Sequence, residues 1–383
     1  MSAPGNNRLR LEWRPFQFRL PRALITAHGA LVERRGWLLR LSREDGAVGW
    51  GEAAPWPGRA RREQSHGPRQ VAPTQVSAQP QLAALEAAIS RLGPALERRE
   101  LEAELPVLPA CLGFALGLAL AELDGLGAPA QGGWRAAPAS AWLLPAGQSA
   151  LAALELVLER AERPHAVAAP GVGMVAGWRR VPPPPGELTV KWKVAAGPDP
   201  EERAVLEQLL ARLPAGSRLR LDANGGWDRT TAMTWAQRLA AEPRLEWLEQ
   251  PLAPADPGGL EALAAVVPVA LDESLRLDPG LRDRWPGWQV RRSSLEGDPR
   301  PLLRALISGT PRLMLSTAFE TGIGRRFLAH LAALQQDGPT PTAPGLAPGW
   351  RPAGALFGND PTLVWAAAAQ TDDDSRSMTT AVR

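Results

Sequence analysis

The sequence predicts an α/β fold, a TIM-type β/α barrel with a smaller α+β domain before it. Three observations predict it. Five apolar, strand-like runs each end in a charged residue: Thr189–Lys193, Arg218–Asp222, Trp247–Glu249, Val269–Asp272 and Gln289–Arg292. From Lys193 onward their ends lie 29, 27, 23 and 20 residues apart, the length of one strand, one helix and two short connections. The chain's 383 residues suit a barrel of roughly 250 and a second domain of about 100.

The elements follow in order. Up to about residue 60 short strands alternate with turns: Gly36 to Leu41, a turn at Asp45-Gly46, then Gly49-Trp50-Gly51-Glu52, together an antiparallel meander. Residues 59–80 lose periodicity and read as a mobile loop. Helical spacing governs 81–125, with Leu82, Leu85, Ala88 and Ile89 on one face. The apolar stretch Leu105 to Ala121 is broken by Pro106 and Pro109 and is short for a membrane span, so it is expected to be a buried helix. The barrel begins at Ala139–Leu144, with its first helix from Ser149 to Arg163. Residues 164–186, ending in four prolines, are expected to be an extended surface insertion. A seventh strand fits Arg312 to Ser316, an eighth falls somewhere in 338–346, and 371–383 reads as a disordered tail.

Composition excludes some classes. A net charge of +3 implies no nucleic-acid partner, and Arg59, Arg61, Arg62 and Arg69 lack the interleaved aromatics of a single-strand platform. One cysteine, Cys111, cannot form an intramolecular disulfide, and with no signal peptide the expectation is a cytoplasmic protein. Fifteen tryptophans and no tyrosine carry no functional reading.

In a β/α barrel the strand ends meet at one mouth. A period of two sends Leu188, Val190, Trp192 and Val194 to the outer helices and Thr189, Lys191 and Lys193 inside; Leu219 and Leu221 likewise face out, Arg218, Arg220 and Asp222 in. The alternative is an amphipathic surface strand with solvated lysines. Asp222, Glu249 and Asp272 then form an all-oxygen set that suits Mg²⁺, with Mn²⁺ as a substitute, rather than zinc. Each acid alone could equally be a helix cap or an ion-pair partner; three in register favour the metal. Asn224 and Glu273, one or two positions beyond ligands, are expected to orient them. A lysine beside such a cation suits proton abstraction next to a carboxylate.

Lys191-Trp192-Lys193, Asp222-Ala223-Asn224, Glu249-Gln250-Pro251, Asp272-Glu273-Ser274, Ser294-Leu295-Glu296-Gly297 and Ser316 through Gly324 occur in a distinctive order. Gly49 to Pro55 and Leu143 to Gly147 join them. At these residues the chain resembles the enolase superfamily, and within it the muconate-lactonizing-enzyme-like o-succinylbenzoate synthase family. The likeness runs from about residue 24 to 367.

The resemblance implies a modified (β/α)₇β barrel over about 129–346. It also implies an N-terminal capping domain, 1–128, joined by returning residues of about 347–370. It implies Mg²⁺-dependent syn dehydration of a small carboxylate substrate, 2-succinyl-6-hydroxy-2,4-cyclohexadiene-1-carboxylate, to o-succinylbenzoate in menaquinone and phylloquinone synthesis. Lys193 would move the proton and Lys191 would stabilise the enediolate. Ser316, Gly322 and Gly324 would meet the succinyl carboxylate, although tight turns explain the glycines as well. Thr26 and His28 would lie in a specificity loop, and Gly51-Glu52 would join cap to barrel.

One departure matters. Where the family carries a second lysine, this chain has Arg292, which keeps the charge but does not act as a base near neutral pH. That disfavours the alternative reading as an N-acylamino acid racemase or dipeptide epimerase, which needs a base on each face. Arg291 would face the helices, unless a bulge exchanges the two arginines. A noncatalytic metal-binding barrel is the alternative of another class.

Overall fold

The computed structural model describes residues 7–26, 29–57, 78–162 and 188–368. The insertion at 164–186, the tail and His28 therefore lie outside the described residues, as does most of the 59–80 loop. Within that loop a helix, Gln79–Leu92, already begins.

A four-stranded antiparallel sheet opens the chain. Its strands are β1 (Arg8–Thr26), β2 (Gly29–Arg43), β3 (Val48–Ala53) and β4 (Ala95–Glu97), in the order β3-β2-β1-β4. The meander is as expected, with Gly46 at φ +86° in the turn where Ala47 N–H donates to Asp45. The apolar helix Ala110–Leu123 packs on β3. Gly49 and Gly51 permit that approach: a Cβ at Gly49 would stand 1.9 Å from Ala119 O, and one at Gly51 2.1 Å from Ala115 O. Among the described residues no helix is long and apolar enough to cross a membrane.

Seven parallel strands follow: β5 (Trp142–Leu144), β6 (Thr189–Lys193), β7 (Arg218–Asp222), β8 (Leu245–Glu249), β9 (Val269–Leu271), β10 (Trp288–Arg291) and β11 (Leu313–Leu315), paired in sequence order. An eighth segment closes the ring without forming a regular strand. Gly345 bonds Leu315 and Thr317 on one side, and Pro344 O accepts from Ala141 N–H on the other. Proline removes a ladder donor, which explains why pairing there is so short.

Alternation sorts the faces as the sequence implies. Val190, Trp192, Leu219, Leu221 and Leu248 join one buried cluster with the outer helices, and Trp192 tilts against Trp235 of the helix Arg229–Leu239. Trp247, Ala270, Val290 and Met314 fill the inside. One bulge interrupts the pattern. The β7–β8 register jumps from Leu219↔Leu245 to Arg220↔Trp247, so Glu246 is the extra residue. It turns to Arg220 inside the barrel, Oε2 to Nε 2.6 Å, with Thr342 bonded to both and Trp247 4.1 Å under the guanidinium.

Candidate active site

The strand ends align the chemistry. Lys193 is level with Asp222, and Asp222 with Glu249, across β6, β7 and β8. Local contacts fix these ends. Glu202 accepts from the N–H groups of Ala195, Ala196 and Gly197 just after Lys193. Gln250 accepts from the N–H groups of Asp272 and Ser274 and donates to Ser274 Oγ, tying the end of β8 to Asp272.

Lys191 Nζ stands 2.8 Å from Asp222 and 2.7 Å from Glu249. Burial favours its neutral form, but the two carboxylates outweigh burial and raise its pKa. Burial instead lowers the pKa of Lys193; Asp222 opposes the shift and the Lys191 charge adds to it. Asp272 takes two guanidinium nitrogens of Arg292, Nη2 at 2.7 Å, while Arg292 Nη1 donates to Thr317 O at 2.6 Å. Against the cost of burial, that partner holds the Asp272 carboxyl at about 2. Glu273 has no such partner: burial, then Asp272 and Asp222, push it up to about 8.

The two arginines at the end of β10, Arg291 in the strand and Arg292 just past it, are thereby distinguished. Arg291 shares a face with Gln289 and pairs outward with Glu296 at 2.6 Å, whereas Arg292 turns into the mouth.

A hard cation can be tested against these residues. Among the described residues no three His, Cys, Asp or Glu side chains gather closely enough to hold an ion as placed. The all-acid cage expected from the sequence is instead a mixed cluster, because three buried carboxylates draw in Lys191 and Arg292. The donor set nevertheless fits. Glu249 Oε2, Glu273 Oε2 and Asn224 Oδ1 are buried oxygens with no hydrogen-bond partner, and such orphaned acceptors suit Mg²⁺. As placed, Lys191 occupies Asp222 and Glu249, and Arg292 occupies both oxygens of Asp272.

The other expected residues divide. Ser316 sits two residues beyond inward Met314, buried at the mouth, with Oγ 3.4 Å from Gly345 O. Asn224 donates to Glu273 at 3.3 Å. The glycines are a correction. Gly324 N–H already donates to Glu52 Oε2 at 3.1 Å, and Gly322 is pressed so near Gly358 that a Cβ would stand 1.8 Å from its carbonyl oxygen. Glu52 also receives the Thr321 N–H and hydroxyl, so the start of the helix Gly322–Gln336 is a cap-to-barrel latch rather than an open anion site. The side chain of Thr26, like all of His28, lies outside the described residues.

Sequence reasoning missed Arg325 and Arg351, which line a cavity beside the cluster. Nothing in their local sequence signals it, since Arg325 follows the ordinary polar spacing of a helix.

Comparison with known proteins bears on the family and the fold. Residues 186–279 match the family model "Enolase C-terminal domain-like". The o-succinylbenzoate synthase of Thermosynechococcus vestitus is 33% identical over 338 residues, 84% of this chain and 88% of that protein. A crystal structure of o-succinylbenzoate synthase from Thermosynechococcus elongatus BP-1, complexed with Mg in its active site, superposes with a TM-score of 0.67 at 32% identity. It covers 91% of this chain and 96% of that one. The L-Ala-D/L-Glu epimerase of Bacillus subtilis, 20% identical over 90% of this chain and 91% of its own, has a TM-score of 0.63 and shares the fold. The chain belongs to the enolase superfamily, in its o-succinylbenzoate synthase family.

Proposed function

We propose that this chain is a Mg²⁺-dependent o-succinylbenzoate synthase, dehydrating 2-succinyl-6-hydroxy-2,4-cyclohexadiene-1-carboxylate on the route to menaquinone or phylloquinone. One observation carries the reading. β6, which ends at Lys193, and β10, which Arg292 follows, have three strands between them in the parallel sheet, an arrangement that supports a lysine and an arginine on opposite sides of the mouth. A lysine with a lowered pKa on one side and a permanent cation on the other make a one-base site.

Lys193 Nζ takes the proton from the ring carbon bearing the carboxylate, and the C–H electron pair passes into that carboxylate as an enediolate. The pair returns to form the ring double bond as the bond to the neighbouring hydroxyl breaks. The departing oxygen takes the proton back from Lys193, and water leaves with the amine neutral again. Lys191 and Arg292 supply positive charge while the enediolate exists. Asp222, Glu249 and Asp272 would hold Mg²⁺, which supplies further charge to the substrate carboxylate. Arg292 cannot deliver a proton to the opposite face and take it back, so this site does not support racemisation. A cytoplasmic setting is part of the same proposal, supported by the lone, buried Cys111.

The test is turnover of freshly prepared cyclohexadiene substrate. Mg²⁺-dependent appearance of o-succinylbenzoate is expected; no turnover with metal bound would favour a noncatalytic scaffold.

A further inference from the structure

A cavity of about 460 Å³, including the solvent at its opening, adjoins the mouth. Thr317 belongs to both: its side lines the cavity, and its carbonyl accepts from Arg292, the partner of Asp272. Phe18 of β1, Phe319 and Trp350 give it aromatic walls, and Arg325, Arg351 and Glu320 give it charge, net positive.

The positive charge is only partly compensated, by Glu320. Among the described residues no oxygen accepts a hydrogen bond from the Arg325 guanidinium. Glu320 is near enough to attract it, but both Glu320 oxygens are engaged: Oε1 by Ser294 Oγ at 2.7 Å and Ala318 N at 2.9 Å, Oε2 by Thr317 Oγ1 at 2.6 Å. Arg351 spends one nitrogen on Phe357 O. Burial, then repulsion from Arg351, brings Arg325 down to about 10. Two partly desolvated guanidinium groups side by side destabilise the pocket, and a carboxylate between them removes both penalties. The aromatic walls suit the methylenes of a short chain leading to it.

We propose that Arg325, with Arg351 beside it, binds the chain-end carboxylate of the substrate's succinyl arm and so selects a dicarboxylate. The assignment rests on the o-succinylbenzoate synthase reading and takes over the anion-binding role that the sequence suggested for Ser316, Gly322 and Gly324. The ring carboxylate stays with Lys191 and Lys193, and the arm runs past Thr317 into the pocket.

Binding of the stable product tests this without turnover. In titration calorimetry with Mg²⁺, wild-type protein should bind o-succinylbenzoate at least tenfold more tightly than 2-butanoylbenzoate, which lacks the chain-end carboxylate. Arg325→Gln should bring the two within about threefold, and Arg325→Lys should keep most of the preference. If Arg325→Gln fails to fold, Arg351→Gln carries the same expectation. Equal binding of both ligands by wild type, or an undiminished preference in the glutamine variant, overturns the proposal. A preserved preference in a protein that does not dehydrate the precursor upholds the pocket and removes only the enzymatic reading.

Discussion

Removing Glu246 tests the barrel floor beneath the active site. Arg220 is fully buried, and its contacts are Glu246, Thr342 and the Trp247 ring. Arg220 Nη1 already lacks a partner. Glu246→Ala would leave a buried guanidinium with a hydroxyl and an aromatic face but no counter-charge. Breaking a buried pair from one side costs about 3–5 kcal/mol, at least about a fifth of the roughly 5–15 that a typical native state has to spare. Thr342→Val removes only a hydroxyl from the same network and should cost about 1–2 kcal/mol. Replacing the pair together, Arg220→Met with Glu246→Leu, removes the stranded charge and should return to within about 2 kcal/mol of wild type. The assay is urea unfolding followed by tryptophan fluorescence, compared at a common m-value. A loss below 1 kcal/mol in Glu246→Ala, or a double variant no better than the single one, would refute this picture of the floor.

Other outcomes follow from the same geometry. Arg292→Met removes three charge-assisted contacts and should lower kcat/KM by about a hundredfold or more, read in steady-state kinetics. Lys193 works as the neutral amine, so the rate should rise with pH through its pKa. Burial lowers that pKa, with Asp222, Glu273 and Glu249 opposing and Lys191 reinforcing, so the rising limb of kcat/KM should lie below the usual 10.5; a limb at or above it contradicts the assignment. Glu52→Ala strands the Thr321 and Gly324 donors at a buried helix start and should cost about 2–4 kcal/mol, with faster amide exchange over residues 321–324. Chelating Mg²⁺ should abolish dehydration and its restoration should return it.

The features legible in the sequence were those with a local period. Alternation around Lys191-Trp192-Lys193 and Arg218 to Asp222 needs no knowledge of partners, and the faces of β6 and β7 follow it. The buried helix Ala110–Leu123 was legible for another reason, an apolar run that Pro109 precedes. What the sequence hid is set by distant pairing. β4 is three residues long and is a strand only because β1 offers an edge. The Glu246 bulge depends on register between two strands, which no single run encodes. The glycines after β11 looked open to substrate because the group that takes Gly324 N–H, Glu52, is 272 residues earlier. The acids were identified, but not the cations drawn between them. Burying three carboxylates in one mouth forces that pairing, and Lys191 and Arg292 were already in place on inward faces.

The central claim is that Lys193 alone moves the proton. Comparing wild type with Lys193→Ala in the precursor assay at saturating Mg²⁺, with metal affinity followed by calorimetry, tests it most directly. The account predicts at least a thousandfold loss of o-succinylbenzoate formation with Mg²⁺ still bound; turnover persisting within tenfold of wild type would contradict it.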